Sequence, residues 1–247
     1  IFVALIFLLT IKEPVRRQSS SDIPLSEKPR LSEVAAFVTR NAGVFAAVFG
    51  GVSVLAAVQF CLGAWVPAHF IRNLGWTAPE VGYAYGLIFL FCGTGGVIAG
   101  GFLADQLQTR GFSDGHLRAV MFSAIATLPF VLAFPAVDDG RVAIALLAPV
   151  VFFGTMAFGA GPALIPVICP SRMRGLLVAV YLLIANIVGQ AGGPLIVALF
   201  TDRVFGSPEF VRYSLMVVPA LLLLIGAMLV TLGFRGLRAM NASQAEP

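Results

Sequence analysis

Tyr213-Ser-Leu-Met-Val-Val-Pro-Ala-Leu-Leu-Leu-Leu-Ile-Gly-Ala-Met-Leu-Val-Thr-Leu-Gly-Phe234 contains no Asp, Glu, Lys or Arg. A helix needs about 20 apolar residues to cross roughly 30 Å of hydrocarbon. Five more charge-free stretches come before it: Asn41–Ile71, Val81–Ala104, Ala119–Val137, Val142–Ser171 and Gly175–Thr201. Strands of a membrane barrel would be about half as long and would alternate polar with apolar residues. These six stretches do neither. They predict an all-α membrane protein whose spans form one six-helix bundle.

Composition says the same. Of the 247 residues 59% are hydrophobic and only 11% charged, where a soluble domain carries about a quarter. Most of the surface must therefore face lipid. The 26 glycines and 15 prolines agree, since both are commoner in membrane helices than in soluble ones. The net charge of +4 does not point to nucleic acid, because the basic residues flank apolar runs instead of clustering on a soluble domain.

The loops alternate in charge. Twelve basic residues (Lys12, Arg16, Arg17, Lys28, Arg30 and Arg40 before the first span, Arg110, Arg118, Arg172, Arg174, Arg235 and Arg238 later) fall on one side. The other side has four: Arg72, Arg141, Arg203 and Arg212. The positive-inside rule then places the rich side, with the linker and the C-terminus, in the cytoplasm of an inner or plasma membrane. Six spans also require both ends on one side. Residues 41–238 form the transmembrane domain in this reading. Residues 12–40 are a polar cytoplasmic linker with Pro14, Pro24 and Pro29, ending in a short interfacial helix around Leu31–Thr39. Residues 239–247 read as a disordered tail. Ile1–Ile11 is apolar but too short to cross, and reads as the end of a preceding transmembrane helix, so the chain is expected to be a C-terminal fragment.

An internal repeat runs through the spans. Gly95-Gly96 stands before Asp105 as Gly192-Gly193 stands before Asp202, at the same spacing, at the ends of the second and fifth spans. Three intervening helices invert the second copy, giving a three-plus-three inverted repeat, the plan of many transporter halves.

These residues resemble the major facilitator superfamily, and within it the Spinster-like branch. Gly101-Phe-Leu-Ala-Asp105 followed by Arg110 resembles the Gly-x-Leu-Ala-Asp cytoplasmic loop signature, with Gln106 where most members carry a basic residue. Gly63-Ala-Trp65-Val-Pro67 with Arg72 and Gly75 is similar to the end of the seventh helix of bacterial Spinster-like proteins. Pro170-Ser-Arg172-Met-Arg174 with Asn186, Gly189, Gly193-Pro194 and Asp202 is similar to the eleventh. The resemblance implies helices seven to twelve of a twelve-helix fold and a missing N-terminal six-helix half. It also implies alternating access around a cavity lined by helices seven and ten and gated by eight and eleven. Spinster-like members are associated with amphipathic substrates such as lysolipids and sphingoid lipids.

Candidate residues follow, each with a plainer alternative. Asp105, with Gly101 and Arg110, is read as a gate in which the carboxylate caps a neighbouring helix N-terminus in one state. A plain interfacial charge is the other reading, and Arg110, Arg172 and Arg174 fit topology better than gating. Gln59, Asn186 and Gln190 are the most polar groups inside spans, and Asn186 and Gln190 share a helix face. They either touch substrate or bond between helices, the second being the commoner use. Tyr85, with Tyr83 and Tyr181, could line a route or pack. His69 is titratable but lies near the outer end beside Arg72, where an interfacial position is expected. Trp65, Trp76 and Tyr213 read as interfacial belt residues. Gly154 to Pro162, with Pro166, is either a discontinuous helix at a binding site or a packing groove.

No catalytic constellation stands out. There is no His-Glu-x-x-His, P-loop or Gly-x-Ser-x-Gly, and Cys61, Cys92 and Cys169 lack metal-ligand spacing. No cofactor or metal is expected. All twelve acids lie in loops, at span ends or in the tail, so a proton-coupling group would belong to the missing half. The expected function is a secondary transporter for a small amphipathic organic or lipid-like molecule, with membrane lipid as its surroundings. A standalone six-span scaffold or receptor is the competing reading.

Overall fold

The computed structural model describes residues 30–245. The reading of 1–11 as a helix end, and most of the linker, lie outside the described residues. A short helix α1 (Leu31–Arg40) leads into six long ones: α2 (Ala42–Leu74), α3 (Ala78–Thr109), α4 (Gly115–Ala136), α5 (Gly140–Ile168), α6 (Ser171–Phe205) and α7 (Pro208–Arg238). All six are long and apolar enough to span a membrane, and no strand occurs among the described residues. Helical backbone continues past Arg238 to Ala245, through residues that the sequence reading assigned to the tail.

The connections are short and locally specified. Gly75 ends α2 at φ 69 and Gly206 ends α6 at φ 74, left-handed positions that a side chain would strain. The Glu80 carboxylate accepts from the Thr77 N–H at 2.8 Å, starting α3, and the Asp139 carboxylate accepts from the Arg141 N–H at 2.8 Å, starting α5.

The contacts sort the helix ends as the loop charges do. Gly43 of α2 lies against Gly236 of α7, and Leu117 of α4 lies against Gly233. Arg172, opening α6, pairs with Glu33 of α1 at 2.8 Å. These arginine-rich ends therefore gather on one side. At the other, Arg212 of α7 donates from Nε to the Pro135 carbonyl at 2.6 Å and pairs through Nη1 with Asp138 at 2.8 Å.

The three-plus-three repeat is visible in the packing. A Cβ on Gly96 of α3 would collide with the Phe152 carbonyl oxygen of α5. A Cβ on Gly193 of α6, the matching residue of the repeat, would sit 2.5 Å from the Ala57 carbonyl oxygen of α2. Small residues bring the backbones together at both places. A π-helical stretch precedes each contact, Phe89–Gly93 in α3 and Asn186–Gly192 in α6. Such widened turns admit an extra residue per turn and are common at functional sites. In α6 the stretch also leads into Pro194, which has no N–H to give the preceding turn.

Candidate transport face and interhelical sites

Burial is uneven. Within the apolar 18-residue core of each span, 72% of α2 is buried inside the bundle, against 44% of α4, α5 and α7 and 22% of α3 and α6. The repeat-related pair α3 and α6 is therefore the least covered of the six.

The candidate polar residues divide along this line. Asn186 and Gln190 are exposed on α6, as their shared face requires. Asn186 donates its Nδ2 to the Leu182 carbonyl at 2.7 Å within its own helix. The interhelical bond expected as its commoner use is not made, because a carbonyl one turn back satisfies the amide locally. Gln190 makes no side-chain hydrogen bond among the described residues.

Gln59 behaves the other way. It is 4% exposed, and its Nε2 donates to the Val150 carbonyl of α5 at 3.3 Å. Gly154, one turn on, supplies the space: a Cβ there would overlap the Gln59 amide. The bond is interhelical, and Gln59 Oε1 has no partner among the described residues. Tyr85 of α3 is half-buried, its ring 5.7 Å edge-on to Phe89, with its hydroxyl buried and unpartnered among the described residues. Tyr181 is buried, 6.3 Å from Phe49, whereas Tyr83 is exposed. The glycine run of α5 both packs closely and interrupts its helix. Gly154 and Gly159 pack against Gln59 and the Val97 carbonyl, and the helix breaks after Ala160 to resume at Leu164–Ile168.

At the candidate gate, Asp105 is exposed at the end of α3 and makes no ion pair or side-chain hydrogen bond among the described residues. Arg110 is likewise exposed and unpaired among them. The close approach comes from Gly96 and Gly100, whose added Cβ atoms would collide with the Phe152 and Met156 carbonyls, whereas a Cβ on Gly101 would meet nothing within 4 Å.

Packing gives three residues near span ends specific partners. Trp65 is half-buried, and its Nε1 donates to the Pro194 carbonyl of α6 at 3.0 Å, so it joins two helices where a belt position was expected. Trp76 sits over Gly140 and 5.2 Å from the Phe70 ring. His69 is buried between Phe70 and Phe134, with Nδ1 3.1 Å from the accepting Asn73 Oδ1. Asn73 in turn donates to the Glu209 carbonyl at 2.9 Å, so the imidazole belongs to a network tying α2 to the start of α7. Tyr213 is 48% exposed beside Phe205 and Phe210.

Sequence reasoning passed over two groups at the arginine-rich end. Asp114 is buried and accepts from Arg118 Nε at 2.7 Å, a pair signalled by its four-residue spacing. His116 is 4% exposed, with Nδ1 unpartnered among the described residues. Its burial had no signal, because it lies beside charges at the very start of a span. In the loop before α6, burial pushes the Cys169 thiol up to about 11 against the opposing pull of Arg174.

These features define a multi-pass helical membrane protein with the fold of a major facilitator transporter, six helices arranged as two inverted triplets. Among solved structures, it is similar to a crystal structure of a bacterial homolog to the human lysosomal transporter Spinster, in an inward-facing and unoccupied conformation. The TM-score is 0.73 at 19% identity, over 97% of this chain and 57% of that one, so this chain spans little more than half its length. No protein-family model and no curated relative matches the sequence.

Proposed function

We propose that this chain is the C-terminal half of a secondary transporter that works by alternating access with a preceding six-helix half, in an inner or plasma membrane with its arginine-rich side cytoplasmic. The supporting observation is the light burial of α3 and α6, 22% over the apolar core of each, in a bundle whose fold is that of a transporter. A second half laid on the α3–α6 face would enclose Asn186 and Gln190, the amides best placed to meet a substrate. Gln59 and Tyr85 would back that surface from behind, Gln59 chiefly by fixing α2 to α5. Asp105, with Gly101 and Arg110, would serve as the gate at the arginine-rich end, its free carboxylate ready to cap a helix of the other half. The substrate class proposed is a small amphipathic, lipid-like molecule, taken from the Spinster-like resemblance. No covalent step or cofactor is required.

The test is uptake of labelled lysolipids and amphipathic amines by vesicles carrying the full-length protein. Accumulation above empty vesicles, reduced by Asn186→Leu or Gln190→Leu, is expected. Uptake equal to empty vesicles across the panel would defeat the proposal.

A further inference from the structure

One face of α7 has a composition that transport does not use. Leu221, Ile225, Met228 and Leu232 are all exposed, from 41% to 69%, at spacings of three and four that keep them on one stripe. The stripe runs through twelve residues, about 17 Å, close to the roughly 15 Å hydrocarbon depth of one leaflet. Just past its end come Arg235, at the edge of the same face, and then Arg238 one step further round the helix, both exposed.

Arg40 comes to this place from α1. Three residues beyond it, a Cβ on Gly43 would lie 3.2 Å from the Leu232 carbonyl and 3.5 Å from the Gly236 Cα, so α1 ends beside the two arginines. Of the arginines at this end of the bundle, Arg118 and Arg172 are held by Asp114 and Glu33. Arg40, Arg235 and Arg238 have no ion pair among the described residues, and no acidic residue adjoins them in sequence.

We infer that this face docks an anionic phospholipid, its acyl chains along Leu221–Leu232 and its phosphate on Arg235 and Arg238, with Arg40 closing the far side. Apolar length below and uncompensated positive charge above favour such a lipid over one whose headgroup carries its own cation. The site does not depend on transport, since α7 lies outside the α3–α6 face.

The test uses the full chain purified in neutral detergent, titrated with phosphatidylglycerol, phosphatidylcholine or inorganic phosphate while its thermal midpoint is followed. Phosphatidylglycerol is expected to raise the midpoint, and the other two to leave it unchanged. The shift should fade in about 1 M salt, where screening acts within about 3 Å. R235Q/R238Q should weaken the apparent affinity about tenfold or more, while R235K/R238K, which keeps the charge, should stay within a few-fold of wild type. An equal effect of phosphatidylcholine, or reproduction of the effect by inorganic phosphate, would overturn the inference. So would unchanged affinity in the glutamine pair. If that pair does not fold, a wild-type shift undiminished by salt decides against the site, and one abolished by salt supports it.

Discussion

The indole nitrogen of Trp65 donates to the carbonyl of Pro194, 3.0 Å away, and so ties α2 to α6 just beyond the π-helical stretch Asn186–Gly192. Trp65→Phe keeps an aromatic ring of smaller size and removes the donor. Hydrogen bonds between membrane helices contribute about 0.6 kcal/mol on average, so a small loss of thermal stability in detergent is expected. An unchanged midpoint would show that the bond contributes nothing.

Gly154 and Gln59 should behave as one unit. Gly154→Ala forces the Gln59 side chain out of its place and is expected to cost about 1–3 kcal/mol, the usual range for overpacking. Gln59→Ala in the same chain should recover part of that loss, because the colliding amide is gone. Thermal unfolding of both singles and the double gives the coupling. Additive losses would mean that the two do not compete for space.

Exposure separates transport effects from stability effects. Asn186→Leu and Gln190→Leu alter groups on the uncovered face and should change substrate uptake with little shift in midpoint. Gln59→Leu alters a buried interhelical contact and should move the midpoint more than the substrate KM. The reverse pattern would exchange their proposed roles.

Cys169 provides a pH-dependent readout. The thiolate is the reactive form, and burial raises the pKa to about 11. Maleimide labelling of Cys169 should be slow near neutral pH and quicken as pH climbs toward that value. The sign for stability follows: the neutral thiol is favoured by the fold, so its contribution is present below the ordinary thiol pKa and lost as pH rises through about 11. Fast labelling at neutral pH, measured by mass spectrometry, would contradict the buried placement.

The six spans were legible because charge is nearly forbidden in hydrocarbon, and that one rule marks every helix from Asn41 to Phe234. The repeat was legible because backbone contact leaves room only for glycine at Gly96 and Gly193. Side-chain partners were less so. Asn186 could bond across helices or back to Leu182, and both choices satisfy its amide equally well in the sequence. Trp65 near a span end suits an interfacial belt until the Pro194 carbonyl is known to lie beside it. His69 packs on Phe134, and Arg212 donates to the Pro135 carbonyl, only because α2, α4 and α7 converge at the outer end, a relationship carried by tertiary packing and by no local pattern. The candidate transport residues Asn186 and Gln190 were found by polarity alone, and nothing in the sequence says which of them a substrate would touch.

The paired glycine contacts make this chain its own replicate. Whatever an alanine does to the seam at Gly96, the same change at Gly193 repeats the measurement in an upside-down copy, with only the surrounding side chains varied. Similar losses at the two would report the geometry that both copies inherit, and unequal losses would report how far the triplets have since drifted apart.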